Sequence, residues 1–176
     1  MIDIVDAEPG HGEAIAHVHA ASWIATYRGI LEDDYLDNHA LDDRMLYWRQ
    51  ALATGQYHPV KVAVVEKQVT GFIALHVDQD DVGYDFTIEH LHVLPDYKGR
   101  GLGKALIRAS VMEILAQDAS KLCLWVFEDN KPAIRFYENL GGLTDAYGTD
   151  VMANKPDRRI GWHDLQALVE ACGRKP

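Results

Sequence analysis

A glycine-rich loop lies between a strand pattern and a helix pattern in the segment 92–106, HVLPDYKGRGLGKAL. Apolar residues before the loop are typical of a strand, and those after it recur at helical spacing. The first backbone N–H groups of a helix lack partners within it, and glycines let an anion approach them closely. The segment therefore predicts a phosphate-binding loop, with a solvated glycine-rich turn as the alternative. Residues 98–108 carry no acidic side chain and four basic ones, Lys98, Arg100, Lys104 and Arg108.

Two other kinds of phosphate loop do not match this segment. A Walker loop requires GxxxxGK followed by Ser or Thr, whereas Gly99 and Gly103 are too close and Ala105 follows the lysine. A dinucleotide fingerprint requires GxGxxG after the first strand and an acidic residue about 20 positions later. The run 101–106 lacks the third glycine and lies in the middle of the chain. A nucleotide-binding domain is therefore the weaker alternative.

The hydrophobic patterns along the chain predict a single α/β domain. Their order is β-α-α-β-β-β-α-β-α-β followed by a C-terminal helix, which implies a mixed central sheet with helices on both faces. The predicted strands are 1–5, 60–66, 71–77, 85–93, 121–127 and 143–148, and the predicted helices are 12–27, 41–52, 101–116, 132–140 and 162–171. The expected apolar face of the helix 101–116 consists of Leu102, Ala105, Leu106, Ala109, Met112 and Leu115.

Composition and charge narrow the class of protein. The 176 residues are enough for one domain with a substantial core. A net charge of −10 argues against a general nucleic-acid binder, which needs a basic surface. No apolar run reaches the roughly 18 residues of a membrane span, and residues 1–10 do not resemble a signal peptide. Because Cys123 and Cys172 do not suggest a disulfide framework, we expect a cytoplasmic protein, and a homodimer is compatible with the sequence.

The segment 91–107, LHVLPDYKGRGLGKALI, resembles the acyl-CoA-binding motif of the GNAT superfamily of N-acyltransferases, which reads Gln/Arg-x-x-Gly-x-Gly/Ala. The segment 124–141, LWVFEDNKPAIRFYENLG, is similar to the next motif of that superfamily, where a strand precedes Asn, Ala and a Phe-Tyr pair on a helix. The resemblance covers about 60–142 and implies a GNAT-like fold. Residues 1–59 would then form a strand and acceptor-side helices, 60–142 the acyl-CoA-binding core, and 143–176 a final strand and helix.

Three features depart from the motifs of the superfamily. Lys98 replaces the usual Gln or Arg, which keeps a positive charge but loses a planar group. His92 occupies a position where Tyr is common. After Gly142, the last strands of the family have no clear counterpart in the sequence. The segment 22–37, SWIATYRGILEDDYLD, also resembles a microbial subgroup that includes relatives of polyamine acetyltransferases.

The resemblance implies acetyl-CoA as co-substrate, no metal, and an acceptor that is a primary amine of a small molecule (a polyamine among them) or of a protein. The diphosphate would bind to residues 100–104 and the pantetheine arm along Val93. A non-catalytic acyl-CoA-binding or regulatory module on the same fold is the alternative. The residues implied to contact the cofactor are Leu91, Val93, Lys98, Gly99, Arg100, Gly101, Leu102, Gly103, Lys104, Asn130 and Ala133.

Two side chains are candidates for proton transfer. Glu89 precedes the loop on its strand, where the family often has a carboxylate that acts as a base directly or through water; otherwise it is an ordinary strand-edge acid. Tyr137 is the candidate acid for the departing thiolate, because a phenol stays protonated at neutral pH; otherwise it is a core aromatic. A backbone N–H near Val93 or Leu94 can stabilise the oxyanion, and Asn130 can cap the following helix.

Histidines, aromatic residues and acidic runs are given structural interpretations. His17 and His19 diverge on a helix, and His90 and His92 share a strand face without an evident third ligand, so we expect no metal site. The acidic runs 32–34 and 78–81 are expected to be solvated loops that can attract cationic amines. We expect core packing, or in part an acceptor pocket, from Trp23, Tyr27, Tyr35 and Trp48.

Overall fold

Seven strands form a mixed sheet in the computed structural model, which describes residues 2–77, 83–151 and 153–174. The strands are β1 (Ile2–Asp6), β2 (Val60–Val65), β3 (Gln68–Val77), β4 (Phe86–Val93), β5 (Leu122–Phe127), β6 (Leu143–Asp150) and β7 (Lys155–Trp162). Hydrogen-bonded neighbours follow the order β1-β2-β3-β4-β5-β7-β6. Strands β4 and β5 run parallel, and the other neighbouring pairs run antiparallel.

Helices cover both faces of the sheet. They are α1 (Gly12–Tyr27), α2 (Asp33–Asn38), α3 (Ala40–Thr54), α4 (Leu102–Leu115), α5 (Lys131–Glu138) and α6 (Leu165–Gly173). Alternate residues of β3 enter two separate cores: Ile73 packs in the core under α4 and α6, whereas Phe72 packs in the core under α1 and α3. This arrangement confirms the predicted α/β fold with a mixed sheet and flanking helices.

Two elements are additional to the predicted order. The short helix α2 begins within the acidic run 32–34, which is exposed as expected but forms the N-cap and first turn of a helix, so the predicted loop is wrong there. The acidic run 78–81 lies outside the described residues. Strand β7 lies between β5 and β6 and pairs with both. Its two central arginines, Arg158 and Arg159, form ion pairs with Glu128 and Asp145. Because these arginines are paired, they can lie within the sheet. Their charges also hide the hydrophobic pattern by which a strand is recognised in the sequence.

The apolar face of α4 differs from the predicted one. Ala105, Ala109, Met112 and Leu115 are not buried, and Met112 is 49% exposed. The face of α4 that packs on the sheet is rotated about the helix axis relative to the predicted face. It includes the β-branched residues and Ser110, whereas the predicted face included the alanines. The buried residues of α4 are Leu102, Leu106, Ile107, Ser110, Val111 and Ile114.

The parallel strands β4 and β5 separate soon after they pair. Their register consists of two pairs, Phe86 with Leu122 and Thr87 with Cys123. A bulge follows on β4: Ile88 and His90 face consecutive residues of β3, so Glu89 is the extra residue. Helices α4 and α5 begin just after the carboxyl ends of these strands. The separation therefore opens a wedge between these two inner strands at their carboxyl ends, on the side where α4 and α5 begin.

Candidate active site

The wedge between β4 and β5 is a cavity of about 610 Å³. Both strands, the first turns of α4 and α5, and the C-terminal half of α1 form its walls. Arg100 does not line the cavity. Its guanidinium lies over the Tyr97 ring, 5.0 Å from the ring centre. The other predicted cofactor contacts all line the cavity: Leu91, Val93, Lys98, Gly99, Gly101, Leu102, Gly103, Lys104, Asn130 and Ala133.

The N-terminus of α4 is shaped by glycines in the left-handed backbone region. Gly99 has φ +75° and Gly101, the N-cap residue, has φ +85°, which residues with a Cβ rarely adopt. At Gly103 a Cβ would lie 3.2 Å from Cζ of Phe136, so a side chain there would crowd the cavity wall. The first N–H groups of the helix have no partners within it. Together with Lys104, these donors fit an anionic diphosphate.

Lys98 contacts the opposite wall of the cavity. Its Nζ donates a hydrogen bond to Thr26 Oγ1 at 3.2 Å, which connects the glycine loop to α1. Lys104 Nζ donates to the carbonyl of Arg174 at 3.4 Å. Both lysines are among the residues that line the cavity. Neither lysine forms an ion pair within 4 Å among the described residues, so both charges are available to an anion.

The backbone of β4 offers one of the two predicted oxyanion donors. The N–H of Leu94 donates to the carbonyl of Thr70 at 2.9 Å and is therefore committed to the sheet. Because N–H groups alternate between the two edges of a strand, the N–H of Val93 points to the opposite edge, toward β5. The strands have already separated at this level. Of the two predicted donors, Val93 is thus the one whose N–H is not committed to β3, and its role at the oxyanion stays a prediction.

Glu89 lies on the bulge of β4 and lines the cavity. Its side chain is 45% exposed, and Oε2 lies 3.3 Å from Nε2 of His76 on β3. The bulge breaks the alternation of the strand, since Glu89 has no opposite partner on β3 whereas His90 pairs with Ala74. The predicted base is therefore at the cavity surface, within hydrogen-bond distance of an imidazole.

Two tyrosines line the cavity beside α5, and one of them, Tyr137, belongs to the last turn of that helix. Tyr137 is 8% exposed and lines the cavity, and burial raises the pKa of its hydroxyl, with a smaller contribution from Tyr27. Burial also raises the pKa of Tyr27, against a hydrogen bond from Asn130 that lowers it. Oδ1 of Asn130 accepts the N–H of Ala133 at 3.3 Å and caps the helix as predicted. Both phenols are protonated at neutral pH, and Tyr27, grouped by sequence with the core aromatics, lines the cavity.

Three histidines meet behind the cavity, between α1 and β4. One ring nitrogen from each of His19, His90 and His92 lies within 4.8 Å of the other two. The expectation that His90 and His92 lack a third histidine is therefore wrong, because helix–sheet packing brings His19 to them. His17 points away and is exposed, as predicted. The rings of His19 and His92 are stacked, with centroids 4.4 Å apart.

Hydrogen bonds define the protonation of this histidine cluster. The indole N–H of Trp48 donates to Nδ1 of His19 at 2.9 Å, so a neutral His19 carries its proton on Nε2. That Nε2 has no partner among the described residues. Burial lowers the pKa of all three imidazoles, that of His92 to about 3. Since His19 presents an N–H group, the cluster does not offer three bare nitrogens of the kind that metal ligation requires.

Two carboxylates of the cavity were not predicted from the sequence. Asp150 and Asp157 come from β6 and β7 and line the wall next to Trp125 and Phe127 of β5. No motif surrounds them, and β7 was not predicted. They lie in a region that had no clear counterpart in the family resemblance and whose acidic and basic residues are equal in number over 143–160.

Comparisons with known proteins agree with this geometry. The acetyltransferase (GNAT) family matches residues 20–142. The uncharacterized N-acetyltransferase YuaI of Bacillus subtilis (strain 168) is 28% identical over 178 residues, covering 99% of this chain and 100% of the relative.

Two solved structures share the fold. The PaiA N-acetyltransferase of Thermoplasma acidophilum, in complex with coenzyme A, has a TM-score of 0.78 at 19% identity, covering 93% of this chain and 99% of its own. The yncA protein of Salmonella typhimurium, with its cofactor acetyl-CoA, has a TM-score of 0.68 at 20% identity, covering 93% and 94%. Within the described residues, no helix has the length and apolarity to cross a bilayer.

Proposed function

The chain belongs to the GNAT acetyltransferase family, and from this we propose that it transfers the acetyl group of acetyl-CoA directly to a primary amine of a small molecule or a protein. One observation carries the proposal. One cavity is lined by three kinds of group. They are the helix N-terminus at residues 101–104, which suits an anion, the carboxylate of Glu89 on the strand bulge, and the buried phenol of Tyr137. These are the groups that amine acetylation requires at the cofactor, the amine and the thiol.

The first requirement is a neutral amine. An alkylammonium with a pKa of about 10.4 is neutral in roughly one molecule per thousand at pH 7, a deficit of about 4–5 kcal/mol. Glu89 is the group we propose to accept this proton, directly or through water, because it lies at the cavity surface without an arginine or lysine partner within 4 Å among the described residues. The His76 imidazole beside it can hold the carboxylate in place.

The second requirement concerns the charges that develop during transfer. The co-substrate supplies an activated acetyl thioester. We propose that the N–H of Val93 donates to the carbonyl oxygen as that oxygen gains negative charge. We propose that the Tyr137 hydroxyl donates a hydrogen bond to the departing sulfur, because its raised pKa keeps the phenol protonated while a thiolate, whose thiol has a pKa near 8.5, develops beside it. The glycine turn at residues 99–103 and Lys104 would hold the diphosphate.

A thiol-release assay tests the proposed function. The full chain is incubated with acetyl-CoA and a panel of primary amines, and free CoA is measured against reactions without amine. We expect amine-dependent CoA release and an acetylated amine detectable by mass spectrometry. Tight CoA binding with no release for any amine would instead support a non-catalytic acyl-CoA-binding module. Greater thermal stabilisation by ATP or NAD than by CoA would contradict both interpretations.

A further inference from the structure

The charges that line the cavity are separated along the chain. The lysines, Lys98 and Lys104, belong to the glycine loop and the start of α4. The carboxylates outside β4, Asp150 and Asp157, belong to the β6–β7 wall. A diphosphate accounts for the lysines. The two aspartates play no part in the transfer chemistry described above, and they require a separate explanation.

Asp157 is a buried carboxylate that forms no ion pair within 4 Å in the described part of the chain. It is 9% exposed, and its Oδ1 has no hydrogen-bond partner among the described residues. The adjacent arginines of β7 are committed elsewhere: Arg158 pairs with Glu128 at 2.6 Å and Arg159 with Asp145 at 2.8 Å. Burial raises the pKa of Asp157, and nearby Asp150 adds to this effect. A carboxylate held in this way is costly unless a positive charge compensates it.

Asp150 also lacks an ion pair with the neighbouring strand. Its cross-strand neighbour on β7 is Lys155, but no ion pair within 4 Å joins the two side chains in the described part of the chain. Oδ1 of Asp150 instead accepts the backbone N–H of Ala153 at 2.6 Å. Both aspartates therefore direct uncompensated negative charge toward the cavity that they line.

The surroundings of Asp157 also suit a cation. Phe127 is its cross-strand neighbour on β5, and Trp125 and Tyr27 line the same cavity. Aromatic faces attract ammonium groups. On the other side, Gly148 faces Asp157, and a Cβ there would lie 2.8 Å from Oδ1 and 3.0 Å from the Trp125 ring. The glycine thus leaves space for the carboxylate and the indole to lie side by side.

We propose that Asp157, with Asp150 and the surrounding aromatic rings, binds a second ammonium group of the acceptor, so that the preferred acceptors are diamines. The inference rests on the proposed function, because the first amine of the same molecule is the one acetylated near Glu89. It adds a subsite and a substrate class to that function. Acceptors with one amine lack the second charge and should bind more weakly.

The test compares matched acceptors on the full chain. We expect kcat/KM for 1,4-diaminobutane to exceed that for butylamine by at least about 10-fold, as one compensated buried charge suggests. Asp157→Asn should lower kcat/KM for the diamine about 10-fold or more, through KM, and change that for butylamine by less than about 2-fold. Asp3→Asn, an exposed aspartate on β1, is the control for the change in net charge.

Binding separates failure of the subsite from failure of the enzyme. Calorimetric titration of 1,4-diaminobutane into the CoA-bound protein should show binding that Asp157→Asn weakens, whether or not turnover occurs. Diamine binding lost in the variant without any acetylation would support the subsite and contradict the proposed function. Acetylation without preference for diamines, or an equal loss for both amines in a variant with normal circular dichroism and CoA affinity, would overturn the subsite alone.

Discussion

The two ends of the cavity are built in different ways. The proposed cofactor end comes from two short segments, 91–104 and 130–137, and its proposed anion site uses backbone N–H groups that glycines expose. The proposed acceptor end combines side chains from α1, β4, β5, β6 and β7. Backbone recognition needs a fixed local conformation, so it leaves a motif in the sequence. Side-chain recognition needs only proximity in space, and distant segments can supply it without any motif.

The largest expected effect is at the cofactor end, from Gly103→Val. The added side chain meets Phe136, since a Cβ alone would lie 3.2 Å from its ring. We expect CoA affinity to fall by more than about 100-fold while the fold is retained, because only the cavity wall is crowded. Calorimetry with CoA measures the effect, and Gly10→Val, where no atom lies within 4 Å of an added Cβ, is the control. Unchanged CoA affinity in a folded variant would contradict the placement of the diphosphate.

Arg100→Ala sharpens the same result. Arg100 stacks on Tyr97 and does not line the cavity, so its loss should weaken CoA binding only a few-fold and in a salt-dependent manner. An effect as large as that of Gly103→Val would mean that side-chain charge, and not the backbone, dominates this end.

Tyr137→Phe tests the point where the two ends meet. The variant removes one hydroxyl and keeps the buried ring, so packing against Trp162 should survive. We expect kcat to fall about 100-fold with little change in the KM for acetyl-CoA, within the usual contribution of a general acid. Tyr27→Phe is the matched control, since Tyr27 lines the same cavity. If Tyr27→Phe shows the larger loss of kcat, the acid is Tyr27.

Glu89→Gln tests the acceptor end, and we expect kcat to fall about 10- to 100-fold. The amide keeps the shape of the side chain and removes its charge. Loss of a base lowers kcat and removes an ionisation from the low-pH limb of the kcat/KM profile, whereas loss of simple attraction raises the acceptor KM. CoA affinity should not change. An unaltered rate and pH profile would leave His90, His92 or water as the base, and the pKa of about 3 makes His92 a weak one.

The smallest effect is on stability and belongs to the histidine cluster behind the acceptor end. The pKa of His92 is lowered to about 3 by burial, against about 6.5 in the unfolded chain. Below pH 6.5 the unfolded state therefore binds more protons, so folding stability is complete above that pH and declines as the pH falls toward 3. Between pH 7.5 and 5.5, the free energy of unfolding should fall by about 1 kcal/mol less in His92→Asn than in the original protein. Urea unfolding at both pH values measures this difference. An equal fall in the free energy of unfolding in the two proteins would show that His92 is solvated.

The sequence predicted best where structure follows from neighbouring residues. Helix α1 has the predicted bounds, and the order of strands and helices through α5 differs from the prediction only by the short helix α2. Strand β7 was missed because Arg158 and Arg159 look like surface residues until their partners, Glu128 and Asp145, are known. For the same reason, the face of α4 was misassigned: periodicity gives the spacing of buried residues, but the sheet decides which adjacent stripe is covered.

The sequence by itself determined the glycine turn and the helix N-terminus at residues 99–104, because φ angles, orphan N–H groups and local charge depend on residues close in the chain. Only the tertiary structure brought His19 to His90 and His92, committed the Leu94 N–H to Thr70, and left Asp157 Oδ1 buried without a hydrogen-bond partner among the described residues. Each of these depends on which groups from distant segments become neighbours. Burial and the absence of an ion-pair partner depend on residues from distant segments, so neither is defined until the sheet has formed.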